Sequence, residues 1–258
     1  MQIRKVTKFL LDKWPLGFKE EWDPSGFSLK FNLAEPLRGI VCAIDLTNEV
    51  LNKALEMNAN LILTHHPFKF EETWKDEEAS APYKSAIYQI CKEKRINVLA
   101  FHTNYDNQPC GTSYQIIKKL NLDKYKQNYI NNYPNLVKFD TTFNDLVAKI
   151  KNAFGFNAMR TNFPKGLWNS QISKIAFLSG AGDIREINNI VKMNYDLIVT
   201  SDIKWSDWIT YKETGTKILE IPHLDEQVFA DDVYEILKQK FHDIPVELVH
   251  IDEPYWNI

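Results

Sequence analysis

Two adjacent histidines close the segment Asn60-Leu61-Ile62-Leu63-Thr64-His65-His66-Pro67. Neutral imidazole is the commonest protein metal ligand, so two rings side by side raise metal chemistry first. Residues 60–64 form an apolar run with β-branched members, ended by a proline, and read as a short buried strand. In open α/β sheets the functional crevice lies at the carboxyl ends of the strands, where this pair falls. Successive strand residues point to opposite faces. Both rings therefore serve one pocket only if the backbone bends after Thr64, and Pro67 holds His66 extended, as such a bend needs.

The same placement recurs. Residues 97–100 form another apolar strand, followed by His102 and, four residues later, Asp106; Lys217-Ile218-Leu219-Glu220-Ile221-Pro222 delivers His223 at its end. Of six histidines, four directly follow strands, and only His242 and His250 do not. One such histidine is more often a satisfied loop residue than a ligand; four, with an aspartate nearby, point to a shared site. Imidazole with carboxylate suits zinc, iron or manganese, and ligand softness does not choose among them. Asp45 and Asp202, at strand ends, read either as partners of ligand histidines or as helix N-caps. Gly180-Ala181-Gly182-Asp183 reads either as an anion-binding turn or as a tight strand-to-helix turn.

Strands at 39–45, 60–64, 96–101, 137–139, 174–178, 196–200, 217–221 and 245–250 alternate with helices at 48–58, 84–94, 111–120, 143–154, 184–194, 206–213 and 226–241. Such alternation argues βαβ units and a largely parallel sheet. The block from Ile40 through a helix to His66 is echoed by the block from Lys174 through a helix to Asp202. The expected fold is α/β, with two similar βαβ-rich halves, residues 1–125 and 126–258, around a central metal-binding cleft. The second half carries the sequence that returns to that cleft.

The 258 residues carry a net charge of −3, with no electrostatic footprint for nucleic acid. Three dispersed cysteines indicate neither a disulfide framework nor a zinc ribbon, and Cys42, inside a strand, reads as a core residue. The N-terminal segment is broken by charge; Ile3, Val6, Phe9, Leu10 and Trp14 mark one face of an amphipathic helix rather than a signal peptide. No stretch spans a bilayer. A cytoplasmic protein without membrane or nucleic-acid partners is expected.

Four stations together carry a specific resemblance: Glu21-Trp22-Asp23-Pro24-Ser25-Gly26-Phe27, Ala43-Ile44-Asp45-Leu46-Thr47, Leu63-Thr64-His65-His66-Pro67 and His102-Thr103-Asn104-Tyr105-Asp106. Across essentially its whole length the chain resembles the NIF-three-like family, often labelled GTP cyclohydrolase I type 2 homologues. The resemblance implies two α/β halves around a dinuclear metal centre, in a hexameric ring. It implies that His66 and Asp106 hold one ion and His65 and His223 the other. It also implies a bridging glutamate four residues after the last histidine, where this chain has Gln227. Glu226 lies one residue earlier, about 100° around an α-helix, and substitutes only if the helix start is re-registered. In the other reading Asp225 is an N-cap and Glu226 a favourable first-turn acid. The second ion is accordingly expected to be weak, water-bridged or absent. A further departure is Pro109-Cys110-Gly111, where the family has consecutive glycines.

The resulting expectation is a metal-dependent hydrolase with two divalent ions, acting on an anionic, nucleotide-like small molecule. His102 is its one non-ligand candidate for moving a proton. The alternative is a non-catalytic metal-binding scaffold or regulatory protein of the ring.

Overall fold

The computed structural model describes residues 1–257. The chain divides into two compact units, one of Met1–Gln108 with Phe229–Ile251, the other of Pro109–Val228 with Asp252–Ile258. The division read from the sequence, 1–125 and 126–258, is continuous. The units are not, because residues 229–251 return to the first.

The first unit runs through α1 (Ile3–Lys13), β1 (Gly26–Leu29), β2 (Ile40–Ala43), α2 (Asn48–Glu56), β3 (Leu61–Thr64), α3 (Trp74–Ser80), α4 (Tyr83–Lys94), β4 (Asn97–Ala100) and α5 (Thr103–Asp106). The second contains α6 (Thr112–Lys119), β5 (Asn135–Thr142), α7 (Phe143–Phe154), β6 (Arg160–Thr161), β7 (Gln171–Phe177), α8 (Ile184–Val191), β8 (Leu197–Thr200), α9 (Trp205–Thr214) and β9 (Ile218–Glu220). Helix α10 (Val228–Lys240) leads back to the first unit, which β10 (Val246–Leu248) completes.

Each unit is built on one five-stranded sheet, in the orders β1-β4-β3-β2-β10 and β5-β7-β8-β9-β6. Three consecutive parallel strands form the centre of each: β2, β3 and β4 in one, β7, β8 and β9 in the other. An antiparallel strand borders each last member, β1 on β4 and β6 on β9. The echo read from the sequence is therefore a shared βαβαβ core.

Strand alternation decides which helices cover which face. Ile40, Cys42, Leu61, Leu63 and Leu99 face the buried stripes of α1 and α10, while Val41, Ala43, Ile62 and Val98 face α2 and α4. In the second unit Ile175, Phe177, Leu197 and Val199 pack with α6 and α7, and Ala176, Ile198 and Ile218 with α8 and α9. Strands buried on both faces read as continuous apolar runs, as parallel strands under helices must. The layers fix the strand ends, and with them the chemically capable side chains.

Candidate metal centre

In the first unit the bend after Thr64 is present. The His65 and His66 amides donate to Ile44 O at 3.1 and 3.0 Å, and Thr64 Oγ1 donates to His66 O at 2.8 Å. This turn brings the two rings to one side, with centroids 5.1 Å apart. His102, after β4, joins them at 5.2 Å from His65 and 5.4 Å from His66. Ligand atoms of His65, His66 and His102 all lie within 4.8 Å of one another. Asp106 follows on α5, a single helical turn opened by the Asp106 amide donating to His102 O, and its Oδ1 stands 3.7 Å from His65 Nε2.

Every one of these rings has its Nδ1 on an oxygen. His65 Nδ1 meets Phe101 O at 2.9 Å, His66 Nδ1 meets Asp45 Oδ1 at 3.0 Å, and His102 Nδ1 meets Asp23 Oδ1 at 3.2 Å. An oxygen acceptor at Nδ1 fixes the tautomer that presents Nε2 as a lone-pair donor, the arrangement found behind metal-ligating histidines. Asp45 is thus the partner of a candidate ligand and not a helix cap; Thr47 caps α2, its side chain accepting from the Val50 amide.

Asp23 is the residue that strand-and-helix reading left without a role. It is 2% exposed and gathers the Ser25 amide at 2.9 Å, Ser25 Oγ at 2.5 Å, the Thr103 amide at 3.0 Å and the Thr103 hydroxyl. Burial alone would raise its carboxyl pKa, but hydrogen bonds from His102, Ser25 and Thr103 outweigh burial and hold it well below the usual carboxylate range. Asp-Pro-Ser-Gly ahead of a strand signals a turn. Its partners His102 and Thr103 lie about eighty positions away and emerge only with the fold.

Two exposed aromatics flank His102. Trp22 (66% exposed) and Phe70 (44% exposed) stand edge-on to its ring at 5.7 and 6.0 Å. Phe70 is held by buried Glu77, which accepts from the Phe70 and Glu71 amides at 2.7 and 2.8 Å and pairs with Lys84.

In the second unit His223 opens a five-residue 3₁₀ turn, His223–Gln227, and α10 begins only at Val228. A 3₁₀ turn eclipses residues three apart. Glu226, not Gln227, therefore shares the face of His223, with Glu226 Oε2 2.8 Å from His223 Nε2. The re-registration that Glu226 needs is thus present. His223 Nδ1 lies 2.8 Å from Asp202 Oδ2, so Asp202 plays for His223 the part that Asp45 plays for His66. Asp202 sits at φ 47°, a left-handed conformation that aspartate tolerates in turns.

Asp225 is not an N-cap: it is fully buried inside the turn, and Pro222 holds the cap position. It lies against Ser201 and the Gly180 backbone without closing a well-formed hydrogen bond to either. Burial and then the Glu226 charge raise its carboxyl well above the usual range. Burial lowers the His223 pKa, but Glu226, Asp202 and Asp225 outweigh it and push the imidazole up to about 12. Three carboxyls around one imidazole call for positive charge, and a divalent cation answers that demand as a proton does. Imidazole Nε2 and carboxylate donors in both units fit zinc, iron or manganese.

The turn at Gly180-Ala181-Gly182-Asp183 is a strand-to-helix turn rather than an anion site. Asp183 already places its own carboxylate on the first turn of α8, accepting from the Glu186 amide at 2.8 Å. Cys110 is exposed. No helix among the described residues is long and apolar enough to cross a membrane.

The profile of the family described as Duf34/NIF3 (NGG1p interacting factor 3) matches residues 1–254. A Mycoplasmopsis pulmonis protein named GTP cyclohydrolase 1 type 2 homolog is 38% identical over 238 residues, covering 92% of this chain and 93% of that protein. An identically named Ureaplasma parvum protein is 27% identical, covering 92% and 90%. Among solved structures, the Staphylococcus aureus hypothetical protein SA1388 superposes with a TM-score of 0.86 at 24% identity, covering 100% of this chain and 99% of that one. The chain belongs to the Duf34/NIF3 family.

Proposed function

We propose that the protein is a metal-dependent hydrolase with a dinuclear divalent-metal centre whose ligands are His65, His66, Asp106, His223 and Glu226. The observation that carries this reading is the uniform tether: four strand-end histidines, each with Nδ1 on a protein oxygen. Rings serving only as packing have no need of such uniform orientation. Divalent metal bound there supplies an acidified water and polarises a carbonyl or phosphoryl oxygen.

The chain's own residues do the rest. Asp45, Asp202 and the Phe101 carbonyl orient the ligand rings. His102, its Nδ1 held on the Asp23 carboxylate, presents Nε2 to accept a proton and return it, the division of labour of a histidine-aspartate pair. Trp22 and Phe70 offer ring surfaces beside it, which favours a substrate with a planar portion. The names of the relatives direct attention to nucleotides, GTP first. A cytoplasmic homohexamer is the assembly proposed for it, and native mass determination tests that part separately.

The functional test is a hydrolysis screen over nucleoside triphosphates and other anionic phosphates, with metal-loaded and chelator-stripped protein in parallel. Turnover present only in the loaded protein, and lost in His66→Ala and His223→Ala alike, is the expected result. Metal bound without turnover across the screen would replace this reading with a non-catalytic metal-binding scaffold.

A further inference from the structure

We infer that Gly180 is a positioning residue for the metal centre: the space left by its missing side chain is where the Glu226 carboxylate sits. This glycine thereby helps decide which carboxylate accompanies His223. The inference rests on the proposed metal centre and adds a determinant that lies outside the ligand set.

A Cβ on Gly180 would fall 2.5 Å from Glu226 Oε1, 3.1 Å from its Cδ and 3.4 Å from Oε2. The first distance is far inside contact range, so one side must move. The carboxylate has little freedom: Glu226 is 4% exposed, Asp225 beside it is sealed, and the Asp225 amide ties the turn to Pro222 O at 3.0 Å. The glycine is equally fixed, its carbonyl accepting from Thr200 Oγ1 at 3.0 Å and the Ser201 amide at 2.8 Å. The second glycine of the turn protects that arrangement, since a Cβ on Gly182 would meet Thr200 Oγ1 at 2.5 Å.

Backbone conformation alone does not account for Gly180. Its φ of 58° favours glycine, but Gly155 and Gly215 have φ of 75° and 71° with nothing within 4 Å of a would-be Cβ. Those two end helices and serve conformation only. Gly180 serves conformation and clearance together. The glycine turn is a mould for a carboxylate of this chain rather than a cradle for a phosphate.

The test is a double-mutant cycle between Gly180→Ala and Glu226→Ala in the full-length protein, read as zinc affinity by chelator competition and as the Tm of metal-free protein. Gly180→Ala should weaken zinc binding by about tenfold or more, the range seen when residues behind metal ligands are altered. The double variant should bind no more weakly than Glu226→Ala alone, and the Tm deficit from Gly180→Ala should shrink once the Glu226 side chain is gone. Gly180→Ala binding zinc as tightly as the parent, or an equal Tm deficit in both backgrounds, overturns the inference and leaves Gly180 a turn glycine. His223→Ala, measured alongside, separates the two levels. Undiminished affinity there defeats the metal-centre reading itself, whereas lost affinity there with none lost in Gly180→Ala defeats only the role of Gly180.

Discussion

His223 Nε2 stands 2.8 Å from Glu226 Oε2, across three residues of 3₁₀ turn. Had α10 begun at His223 with α-helical phasing, Gln227 would share that face more nearly, and a neutral amide would stand where charge is needed. The tighter turn delivers the carboxylate one residue early.

From this follows a contrast between neighbours. Glu226→Ala should lower metal content in protein purified without chelator, while Gln227→Glu should raise it little, because residue 227 is out of phase with His223. Elemental analysis of the two variants checks this; a large gain in Gln227→Glu with no loss in Glu226→Ala would reverse the assignment.

Removal of the carboxylates behind the rings should weaken metal binding without abolishing it. Asp45→Ala and Asp202→Ala free the His66 and His223 rings to rotate and take the wrong tautomer, at a cost of about 10–100-fold in affinity. Competition titration with zinc measures it. Affinities within error of the parent would mean that these contacts do not orient ligands.

His102→Ala should retain metal and lose turnover of whatever substrate the screen finds. Metal lost with activity would make His102 a ligand, a role its place within 4.8 Å of the His65 and His66 ligand atoms permits. Activity unchanged per folded molecule would leave it a support for the α5 turn.

Asp23 predicts a dependence of stability on pH. Its carboxyl is depressed in the folded state, so the stability it contributes is present above the ordinary aspartate pKa and is lost as pH falls below it toward the folded value. Between about pH 5 and pH 2 the parent should therefore lose stability more steeply than Asp23→Asn. At neutral pH the variant should be weaker by about 2 kcal/mol, for the charge-assisted bonds to His102 and Thr103. Denaturant melts across that range decide it; parallel slopes would mean that Asp23 is not the titrating group.

Much of this was legible in the residues. The parallel cores could be read because strands buried on both faces carry unbroken apolar runs, as at Leu61–Thr64 and Leu197–Thr200. The strand-end histidines could be read because a proline or a polar run marks where each strand stops. What escaped depends on distance along the chain or on local phasing. Strand β1 is four half-polar residues, recognisable only when Gly26 and Phe27 meet Ala100 and Leu99. Strand β10 extends the first unit's sheet beside β2, a pairing across some two hundred positions that no periodicity encodes. Asp23 stood in plain view within a family-like segment, yet its purpose is set by His102 and Thr103. The 3₁₀ turn at His223 could not be told from the first turn of an α-helix, since both accept the same acidic residues.

The most direct test of the metal centre is elemental analysis of the full-length protein, purified without chelator and after incubation with zinc, iron(II) or manganese(II). A bound transition metal is expected in the parent, reduced in both His66→Ala and His223→Ala. On the proposed function, in which both histidines are ligands of the same centre, the loss in the double variant should be smaller than the sum of the single losses. A folded parent that takes up none of the three metals, or losses that simply add, would contradict it.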